Sequence, residues 1–366
     1  MFQPIGISAI AAYQPPWVLG NDWFGDTIGR KFVKQTGIES RAISQEDEVA
    51  MAVQATWKLQ SQTYCDLRRC AAAVFVSPSF VPTAVARMHV DRDRTDQERL
   101  QRAARHFVRQ LGIPACPTVA LNWFCSGYSK ALSIVRGQIL SELTLDRDQF
   151  VLVVIANRIS RITDYSCPQT APLFGDMATA TLLARTDSDR YPVHFEILYA
   201  GAEKKPADGT FFDFHLRQNV PVPTVDGGRT FEPERLVFSL NGLGIADAAP
   251  RAMSSALAKA LGVTQIDPAA VRYVIPHQAG SGIVRLAQMK FDEIGIRGEV
   301  INGMTAQVGN VSSCSIPYTL MKMWPHLIGT IGCPTAAVGN PGEPIVSQGC
   351  ILLKATTVHR RLAQAA

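Results

Sequence analysis

Three residues that could carry out thioester chemistry follow one another in a fixed order along the chain. Cys125 stands in LNWFCSGYSKAL, His277 in VIPHQAG and Asn310 in VGNVSSCSIPYTL. A cysteine thiolate can accept an acyl group, and His and Asn can donate hydrogen bonds to a developing oxyanion. Together the motifs predict that Cys125 takes an acyl group. His277 and Asn310 would then hold the oxyanion that forms when a malonyl-type thioester loses carbon dioxide.

Each motif also has a purely structural interpretation. A single cysteine is most often a buried core residue, and a His after a strand can be an ordinary core or surface residue. Asn310 follows Gly309 and could simply shape a turn or cap a helix. The Ser126-Gly127 step and the helix-forming run behind Cys125 favour the functional interpretation for that cysteine.

The place of Cys125 in the chain predicts the reactivity of its thiol. A strand-like run at residues 118–122 precedes it, and a helical run at residues 126–139 follows. The start of a helix offers unpaired N–H groups and the positive end of the helix dipole. We therefore expect the pKa of the Cys125 thiol to be lowered.

Length and composition are those of a large globular chain. The 366 residues are 47% hydrophobic and 18% charged, which allows a large core and argues against disorder. The net charge of +5 is mildly basic and no dense Lys/Arg run occurs, so we expect no nucleic-acid partner. There is neither a basic apolar leader nor a stretch of about 18 apolar residues, so we expect no signal peptide and no membrane span.

The eight cysteines are scattered and form no Cys-x-x-Cys pair. In a chain without a leader, this pattern indicates reduced thiols in the cytoplasm rather than a disulfide framework or a zinc site. We expect neither a metal nor an organic cofactor.

Apolar periodicity predicts strands that alternate with helices. Strands are predicted at residues 5–12, 70–76, 118–122, 150–156, 271–275 and 345–353, and helices at 47–59, 92–110, 126–139, 251–261, 281–289 and 311–323. This alternation indicates an α/β fold with covered sheets. CSGYSKALSIV and NVSSCSIPYTLMKM both open a helix with small polar residues, which suggests a duplicated unit. The FGD segment at residues 174–176 is predicted to shape a tight turn near the site.

In order and separation, these motifs resemble the ketoacyl synthase III branch of the thiolase superfamily. TGIESR, CSGYSKAL, LFGDMATATLL, VIPHQAG, VGNVSSCSIPYTL and a final Ser-x-Gly strand cover nearly the whole chain in the family's order. The resemblance implies a homodimer with a thiolase-like fold. Two similar halves, residues 1–186 with the Cys and residues 187–366 with the His and Asn, would form a five-layered α-β-α-β-α architecture.

The resemblance also implies an acyltransferase of the β-ketoacyl synthase III type. Cys125 would accept an acyl chain, and His277 and Asn310 would bind the malonyl carbonyl during decarboxylation. The carbanion would attack the acyl-cysteine and release a β-ketoacyl thioester. The N–H of Cys125 would be one oxyanion donor, and the last loop would supply another. That loop reads VGNPGEPIVSQGC, and since its prolines lack an N–H, Gly342 is the candidate donor.

Free coenzyme A is expected to be a poor partner. Family members that use acyl-CoA stack its adenine between a Trp and an Arg, with further Arg, Gly and Asn residues beside them. The corresponding positions here are Lys31, Gln35, Pro168, Gln169, Gly280 and Gly282. A group bound to an acyl carrier protein is therefore the expected donor, and the mildly basic chain suits an acidic carrier.

Bulky residues beside the nucleophile predict an altered acyl tunnel. Asn122, Trp123 and Phe124 replace small residues of the family, and we expect Trp123 and Phe124 to contact substrate together with Gln278 and Gly280. Residues 80–110 are longer and more charged than the family segment that lines the acyl pocket across the dimer. These changes favour secondary metabolism, such as polyketide or fatty-acid-derived products, over housekeeping fatty-acid initiation.

Other functions remain possible on this fold. An acyltransferase could pass the acyl group from Cys125 to an alcohol or amine without forming a carbon–carbon bond, and this alternative is compatible with the altered last loop and the missing clamp. A non-catalytic subunit is disfavoured because such subunits usually lose the cysteine. Thiolase-type chemistry needs a second cysteine in the last loop, whereas Cys350 follows Gly349 within the closing strand.

Overall fold

The computed structural model describes residues 3–28, 31–80 and 92–360. The first half contains β1 Ile5–Tyr13, β2 Trp17–Gly20, α1 Lys31–Thr36, β3 Ser40–Ile43, α2 Glu48–Thr63, β4 Cys70–Val76, α3 Arg92–Gln110, β5 Thr118–Leu121, α4 Gly127–Ile134, α5 Leu140–Glu142, β6 Phe150–Asn157 and β7 Met177–Arg185. The second half contains β8 Phe195–Pro206, β9 Phe212–Pro223, β10 Arg229–Leu240, α6 Gly242–Thr264, β11 Val271–Val274, α7 Ser281–Glu293, β12 Glu299–Val300, α8 Ser315–Met323, β13 Thr330–Val338 and β14 Ile345–Ala355.

One large sheet contains two strand sets with the same connectivity. Its order is β5-β4-β6-β7-β1 for the first set, followed by β8-β14-β13-β11-β12 for the second. β7 runs antiparallel to its neighbours β1 and β6, and β14 runs antiparallel to its neighbours β8 and β13, while β6-β4-β5 and β13-β11-β12 are parallel. The repeated connectivity agrees with a duplicated unit. The division between residues 186 and 187 falls in the loop between β7 and β8 and stays a prediction.

The buried side chains lie in layers, because alternate residues of each strand face opposite sides of the sheet. In β6, Phe150, Leu152 and Val154 pack with α2 and α3, whereas Val151 and the other alternate residues pack with α4 and α8. The second set is covered on its outer face by α6 and α7. α4 and α8 share one core cluster with strands of both halves. The layer order is therefore α-β-α-β-α, as predicted.

The two central helices begin in matching tight turns. A 3₁₀ turn at Phe124–Ser126 precedes α4, and another at Ser312–Cys314 precedes α8. Their first residues have positive φ angles, 40° at Phe124 and 50° at Ser312, a region that residues other than glycine rarely adopt. The Ser313 hydroxyl donates a hydrogen bond to the Phe124 carbonyl oxygen. The starts of the central helices therefore lie side by side.

β9 and β10 form a separate hairpin that the apolar periodicity does not predict. Its strands pair from Phe212 with Leu240 to Pro223 with Arg229. The hairpin is anchored to the first half, since Trp23 Nε1 donates to the Gly228 carbonyl oxygen at 2.9 Å. Prolines and a polar run within β9 conceal the strand pattern. The turn of the hairpin lies at residues 224–228.

Most predicted elements are present, with two corrections at the central helices. The helix predicted at residues 126–139 is α4 followed by a π turn at Val135–Ile139. The helix predicted at residues 311–323 opens as a 3₁₀ turn, so that α8 covers only its last part. Residues 81–91, within the segment expected to line an acyl pocket across the dimer, lie outside the described residues. Within the described ranges, no helix is both long and apolar enough to cross a membrane.

Candidate active site

Cys125 lies in the tight turn between β5 and α4. Asn122 Oδ1 accepts a hydrogen bond from the Phe124 N–H at 3.2 Å, and the Ser313 hydroxyl holds the Phe124 carbonyl from the other side. A left-handed conformation at a bulky residue persists only where its surroundings enforce it. These contacts therefore fix Cys125 just before α4.

Burial dominates the electrostatics of the Cys125 thiol. Its Sγ lies 3.5 Å from Ser312 Oγ. Burial raises the pKa of Cys125 to about 11, and the hydrogen bond with Ser312 offsets only part of this rise. The expectation of a lowered pKa is therefore wrong, because desolvation of the thiolate outweighs the groups that favour it.

His277 continues the line of β11 alongside β13. Its N–H donates to the Pro334 carbonyl oxygen at 2.9 Å. The side chain is buried, and its Nδ1 has no hydrogen-bond partner among the described residues. Burial lowers the pKa of His277 to about 4. The imidazole is therefore neutral at pH 7, with one ring nitrogen that donates and one that accepts.

Asn310 is held by the backbone on three sides. Its N–H donates to the Leu173 carbonyl oxygen at 2.8 Å, and its own carbonyl oxygen accepts from the Gly175 N–H at 3.2 Å. Its side-chain Oδ1 accepts from the Ser312 N–H at 2.9 Å. Among the described residues, no hydrogen-bond partner occupies the amide NH2 of this side chain. Asn310 is thus prepared to donate rather than to accept.

One cavity of about 230 Å³ brings these three residues together. Cys125, His277 and Asn310 line it, with Ser312 beside them. No Lys, Arg, Asp, Glu or Trp side chain is among its described lining residues. The rest of the wall is largely apolar and includes Ile159, Ile162, Leu173, Phe174, Phe211, Phe212, Phe214, Phe238, Leu240, Ile245, Met253 and Ile283.

Phe124 and Gly280, two of the residues expected to contact substrate, line this cavity, whereas Trp123 and Gln278 do not. The Trp123 ring lies outside it, beneath the ammonium groups of Lys130 and Lys204 at 4.7 and 5.4 Å. Gln278 is buried behind the cavity. Its side-chain amide donates to the backbone carbonyl oxygens of Pro276 and Ile301, at 3.0 Å each. The expectation that Trp123 and Gln278 contact substrate is therefore corrected, because neither side chain faces the cavity.

Gly342 also lies away from the cavity. Its N–H donates to the Phe212 carbonyl oxygen at 3.0 Å, so this donor is already used. The prediction of Gly342 as an oxyanion donor is therefore corrected. The physical reason is that the middle of the loop between β13 and β14 is hydrogen-bonded to the base of the β9–β10 hairpin.

The positions that correspond to a coenzyme A clamp lie at one side of the cavity. Gln35, Gln169 and Gly280 line it, but Lys31, Pro168 and Gly282 do not. The end of α1 packs closely on the start of α7, since a Cβ on Gly282 would lie 2.7 Å from the Gln35 carbonyl oxygen. None of the lining positions supplies an indole or a guanidinium for adenine to stack on.

The FGD segment shapes the backbone, as predicted. A Cβ on Gly175 would lie 1.9 Å from the Val308 carbonyl oxygen. Asp176 is fully buried and accepts hydrogen bonds from the N–H groups of Ser44 and Ser160 at 2.7 and 3.0 Å. Burial raises the pKa of Asp176 to about 6. This carboxyl ties three segments together behind the site.

Sequence reasoning missed two features of the site. Ser312, two positions after Asn310, touches the Cys125 thiol, and its small-residue context (NVSSC) was the available signal. The second feature is the phenylalanine wall from the hairpin. The alternation of Phe212 and Phe214 around a polar residue could have indicated a strand with one apolar face.

Comparisons with known proteins agree with this arrangement. A sequence model described as 3-oxoacyl-[acyl-carrier-protein (ACP)] synthase III matches residues 120–199, which include Cys125. The chain is 27% identical over 323 residues to a β-ketoacyl-[acyl-carrier-protein] synthase III of Halalkalibacterium halodurans, with 86% of each chain covered. It is also 27% identical to the synthase III of Neorickettsia sennetsu, over 87% of this chain and 89% of the relative.

Solved structures share the fold over almost the full length. The 3-oxoacyl-(acyl carrier protein) synthase III of Pseudomonas aeruginosa aligns with a TM-score of 0.70 and 19% identity, covering 97% of this chain and 99% of the other. The priming β-ketosynthase of a polyketide biosynthetic pathway aligns with a TM-score of 0.70 and 18% identity, covering 97% of each chain.

A five-layered α/β fold with a cysteine, a histidine and an asparagine around one cavity defines a condensing enzyme of the thiolase type. Within that superfamily, the chain is similar to the ketoacyl synthase III-like branch, whose sequence model matches residues 120–199 and whose members described above are 27% identical to it. It is accordingly a transferase of the β-ketoacyl synthase III type.

Proposed function

We propose that this enzyme loads an acyl group onto Cys125 and condenses it with a malonyl-type thioester that loses carbon dioxide. The observation that carries the proposal is that Cys125, His277 and Asn310 line one cavity although they are far apart in the sequence. Residues so far apart in the sequence would rarely meet in one apolar cavity by chance.

In the first half-reaction, the Cys125 sulfur attacks the carbonyl carbon of the donor thioester. The bond from that carbon to the donor sulfur breaks, and the thiol proton ends on the leaving thiol. Because burial raises the pKa of Cys125 to about 11, the thiolate needs stabilisation as it forms, and the Ser312 hydroxyl at 3.5 Å can donate to it. The backbone N–H of Cys125 is the proposed donor to the carbonyl oxygen.

In the second half-reaction, His277 and Asn310 donate hydrogen bonds to the thioester oxygen of the malonyl group. Carbon dioxide leaves, and the electron pair of the broken bond forms an enolate. The α-carbon attacks the acyl carbonyl, and Cys125 departs as a thiolate and takes up a proton. A neutral imidazole and an amide NH2 suit this role, because they stabilise charge that appears only as the reaction proceeds.

A carrier-bound acyl group is the proposed donor. The cavity side that would meet adenine offers Gln35, Gln169 and Gly280, which lack the planar surface of a Trp or an Arg. The relatives described above are named as acyl-carrier-protein synthases. The phosphopantetheine arm of a carrier contains no adenine and would therefore not need such a surface.

A specialised pathway is the proposed setting, such as polyketide or fatty-acid-derived synthesis, with a homodimer in the cytoplasm as the working form. One structural neighbour is the priming enzyme of a polyketide pathway. All eight cysteines are free, which suits a reducing compartment. The resemblance to the family supports the homodimer.

Release of labelled carbon dioxide from carboxyl-labelled malonyl carrier protein tests the proposal. With an acyl-carrier donor present, we expect release by the wild type. We expect a loss of about 100-fold or more in His277→Ala, the usual effect of removing one oxyanion donor. The exposed His326 provides the matched control, and His326→Ala should release label at the wild-type rate.

Two results would contradict condensation. Label release that is equal in His277→Ala and the wild type would remove His277 from the reaction. Acylation of Cys125 without any label release would exclude malonyl condensation and favour acyl transfer to an alcohol or amine, which a panel of such acceptors would then identify.

A further inference from the structure

Phenylalanines from the hairpin form one wall of the cavity beside Cys125. The ring of Phe124, next to the nucleophile, packs edge-on against Phe212 with centroids 4.9 Å apart. Phe212 packs in turn against Phe214 at 5.6 Å. Aromatic rings in edge-to-face contact form a rigid, apolar surface. The wall therefore begins directly beside the nucleophile.

The hairpin extends this wall away from Cys125 in two steps. Phe212 pairs with Leu240 across the hairpin, and Phe214 pairs with Phe238. Residues two apart lie on the same face of a strand, about 7 Å from each other. The pairs therefore present two successive apolar steps, of which the first adjoins Phe124.

A buried apolar cluster closes the second step. Phe238 packs edge-on against Phe174 with centroids 5.3 Å apart. Ile159 and Ile162 complete this cluster, and both also line the cavity. The backbone of Phe174 bridges to that of Asn310. The apolar surface thus runs from the nucleophile to a floor that lies beside Asn310.

The polar side chains of the cavity lie elsewhere. Apart from the candidate catalytic group and Ser312, those among the described lining residues are Gln35, Thr36, Gln169 and Thr170. The lining side chains that pack with Phe238 are apolar and include Phe174, Ile159 and Ile162. A hydroxyl or carboxylate placed among these apolar side chains would lose its water, and none of these side chains can offer it a hydrogen bond.

We propose that the acyl group carried by Cys125 is an unsubstituted hydrocarbon group longer than acetyl, which lies along the hairpin wall and ends against Phe238 and Phe174. This inference rests on the proposed acylation of Cys125. Each additional methylene that is buried favours binding about fourfold. An acetyl group would place a single methyl beside Phe124 and leave the second step unfilled.

The acylation half-reaction tests this directly, without a carrier protein or a malonyl group. Acetyl, hexanoyl and 3-hydroxyhexanoyl N-acetylcysteamine thioesters are offered to the enzyme, and intact-mass and peptide mass spectrometry follow the acylation of Cys125, with Cys125→Ala as the blank. We expect the second-order rate constant for hexanoyl to exceed that for acetyl at least tenfold. We expect 3-hydroxyhexanoyl to fall below hexanoyl about tenfold or more.

Variants of the hairpin assign the selectivity to its inner face. Phe238→Leu should reduce the hexanoyl-to-acetyl ratio severalfold, or move the optimum to longer chains, because it opens the floor. Phe231 lies on the same strand, but its side chain is 57% exposed, so Phe231→Leu is the matched control and should leave the ratio unchanged. Leucine keeps most of the buried volume, and unfolding curves of each variant verify folding.

The outcomes distinguish a failure of the proposed function from a failure of the inferred acyl group. If no thioester acylates Cys125, the proposed function fails at its first step. If Cys125 is acylated but acetyl reacts as fast as hexanoyl, or the hydroxylated chain reacts as fast as the plain one, the proposed function stands and the substrate class is wrong. An equal change of the ratio in both Phe variants would remove the hairpin wall from the selectivity.

Discussion

Ser312 links the candidate nucleophile to one of the candidate oxyanion donors. Its hydroxyl lies 3.5 Å from Cys125 Sγ, while its N–H holds Asn310 Oδ1 at 2.9 Å. The residue occupies a left-handed conformation with φ of 50°, which is maintained by the packing of the two central turns. A single serine can therefore orient an amide through its backbone and favour a thiolate through its side chain.

Removal of the Ser312 hydroxyl should make Cys125 less reactive. Burial raises the pKa of Cys125 to about 11 and the Ser312 hydroxyl lowers it, so Ser312→Ala should raise the pKa further. Iodoacetamide alkylation of Cys125, followed by peptide mass spectrometry from pH 7 to 10.5, should rise with pH in the wild type. In Ser312→Ala, the curve should move to higher pH and the rate at pH 9 should fall severalfold.

Ser126 supplies the control for this measurement. It lies in the same turn as Cys125 and is buried, and its Oγ has no hydrogen-bond partner among the described residues. Ser126→Ala should therefore leave the alkylation curve unchanged. The role of Ser312 would be refuted by an unchanged curve in Ser312→Ala. A similar displacement in both variants would instead indicate a general disturbance of the turn.

The segment before α8 is fixed by glycines that permit close backbone approach. Gly309 has a φ of 71°, and a Cβ there would lie 3.0 Å from the Leu173 carbonyl oxygen and 3.1 Å from the Gly175 N–H. Asn310 follows at once and bonds to the backbone of the same neighbouring segment. The position of its amide therefore depends on the absence of a side chain at Gly309.

A comparison of Gly309→Ala with Gly303→Ala should separate the effect on Asn310 from the effect of backbone strain. A left-handed alanine costs about 1–2 kcal/mol, and here its Cβ also pushes against Leu173. We expect a lower free energy of unfolding and a loss of about tenfold or more in carbon dioxide release. Gly303 also has a positive φ, of 88°, but open space where a Cβ would be.

Gly303→Ala should also lower the free energy of unfolding, because an alanine there has the same left-handed strain. Its rate of carbon dioxide release should stay within about twofold of the wild type. Urea unfolding and label release on the same preparations provide both measurements. If the two variants lose activity equally, strain alone is responsible and the fixed position of Asn310 is irrelevant to the reaction.

Elements with a strong local pattern were predictable from the sequence. Phe150–Asn157 is apolar on both faces because it is covered by helices on both sides, and its continuous apolar run indicates this. The hairpin strand Phe212–Pro223 has one face against the cavity and a largely exposed remainder. Its polar and proline residues resemble a loop. Apart from the alternation at Phe212 and Phe214, its strand structure depends on packing against the first half, which the local sequence does not encode.

The same distinction applies to the candidate site, where some features are visible in the sequence and others depend on tertiary packing. The residue types and spacing of Cys125, His277 and Asn310 identify them, and the structure brings them to one cavity. The directions of Trp123 and Gln278 depend on tertiary packing, and both point away from it. The thiol pKa was also mispredicted, because helix position is visible in sequence whereas the extent of burial is not.

The two halves are joined by a short strand pairing in addition to the core cluster that α4 and α8 share with strands of both halves. Gly6 and Ile7 of β1 pair with Glu196 and Phe195 of β8. A Cβ on Gly6 would lie 2.3 Å from the Phe195 carbonyl oxygen, so only glycine allows this approach. The cavity collects its residues from both halves. Its geometry therefore depends on the stability of the whole molecule.

Buried histidines make that stability depend on pH. Burial lowers the pKa of both His277 and His194 to about 4, and it also lowers the pKa of the fully buried His359. The unfolded chain takes up these protons near pH 6.5, so it binds more protons than the folded chain between pH 6.5 and 4. Asp176 acts in the opposite direction, because burial raises its pKa to about 6 and protonation then favours the folded state.

The free energy of unfolding should therefore fall as the pH is lowered from 6.5 to 4. His277 alone contributes roughly 3 kcal/mol over this range, and Asp176 offsets about the same amount, so the net loss reflects His194 and His359. Urea unfolding at pH 7, 6, 5 and 4.5 measures this loss of stability.

The ring of His359 packs on Phe195 with centroids 4.3 Å apart, so His359→Phe should keep the packing and flatten the dependence of stability on pH. His326→Gln, at an exposed position, should retain the wild-type slope. A wild-type stability that is constant or rises towards pH 4.5 would show that the buried imidazoles do not control acid unfolding.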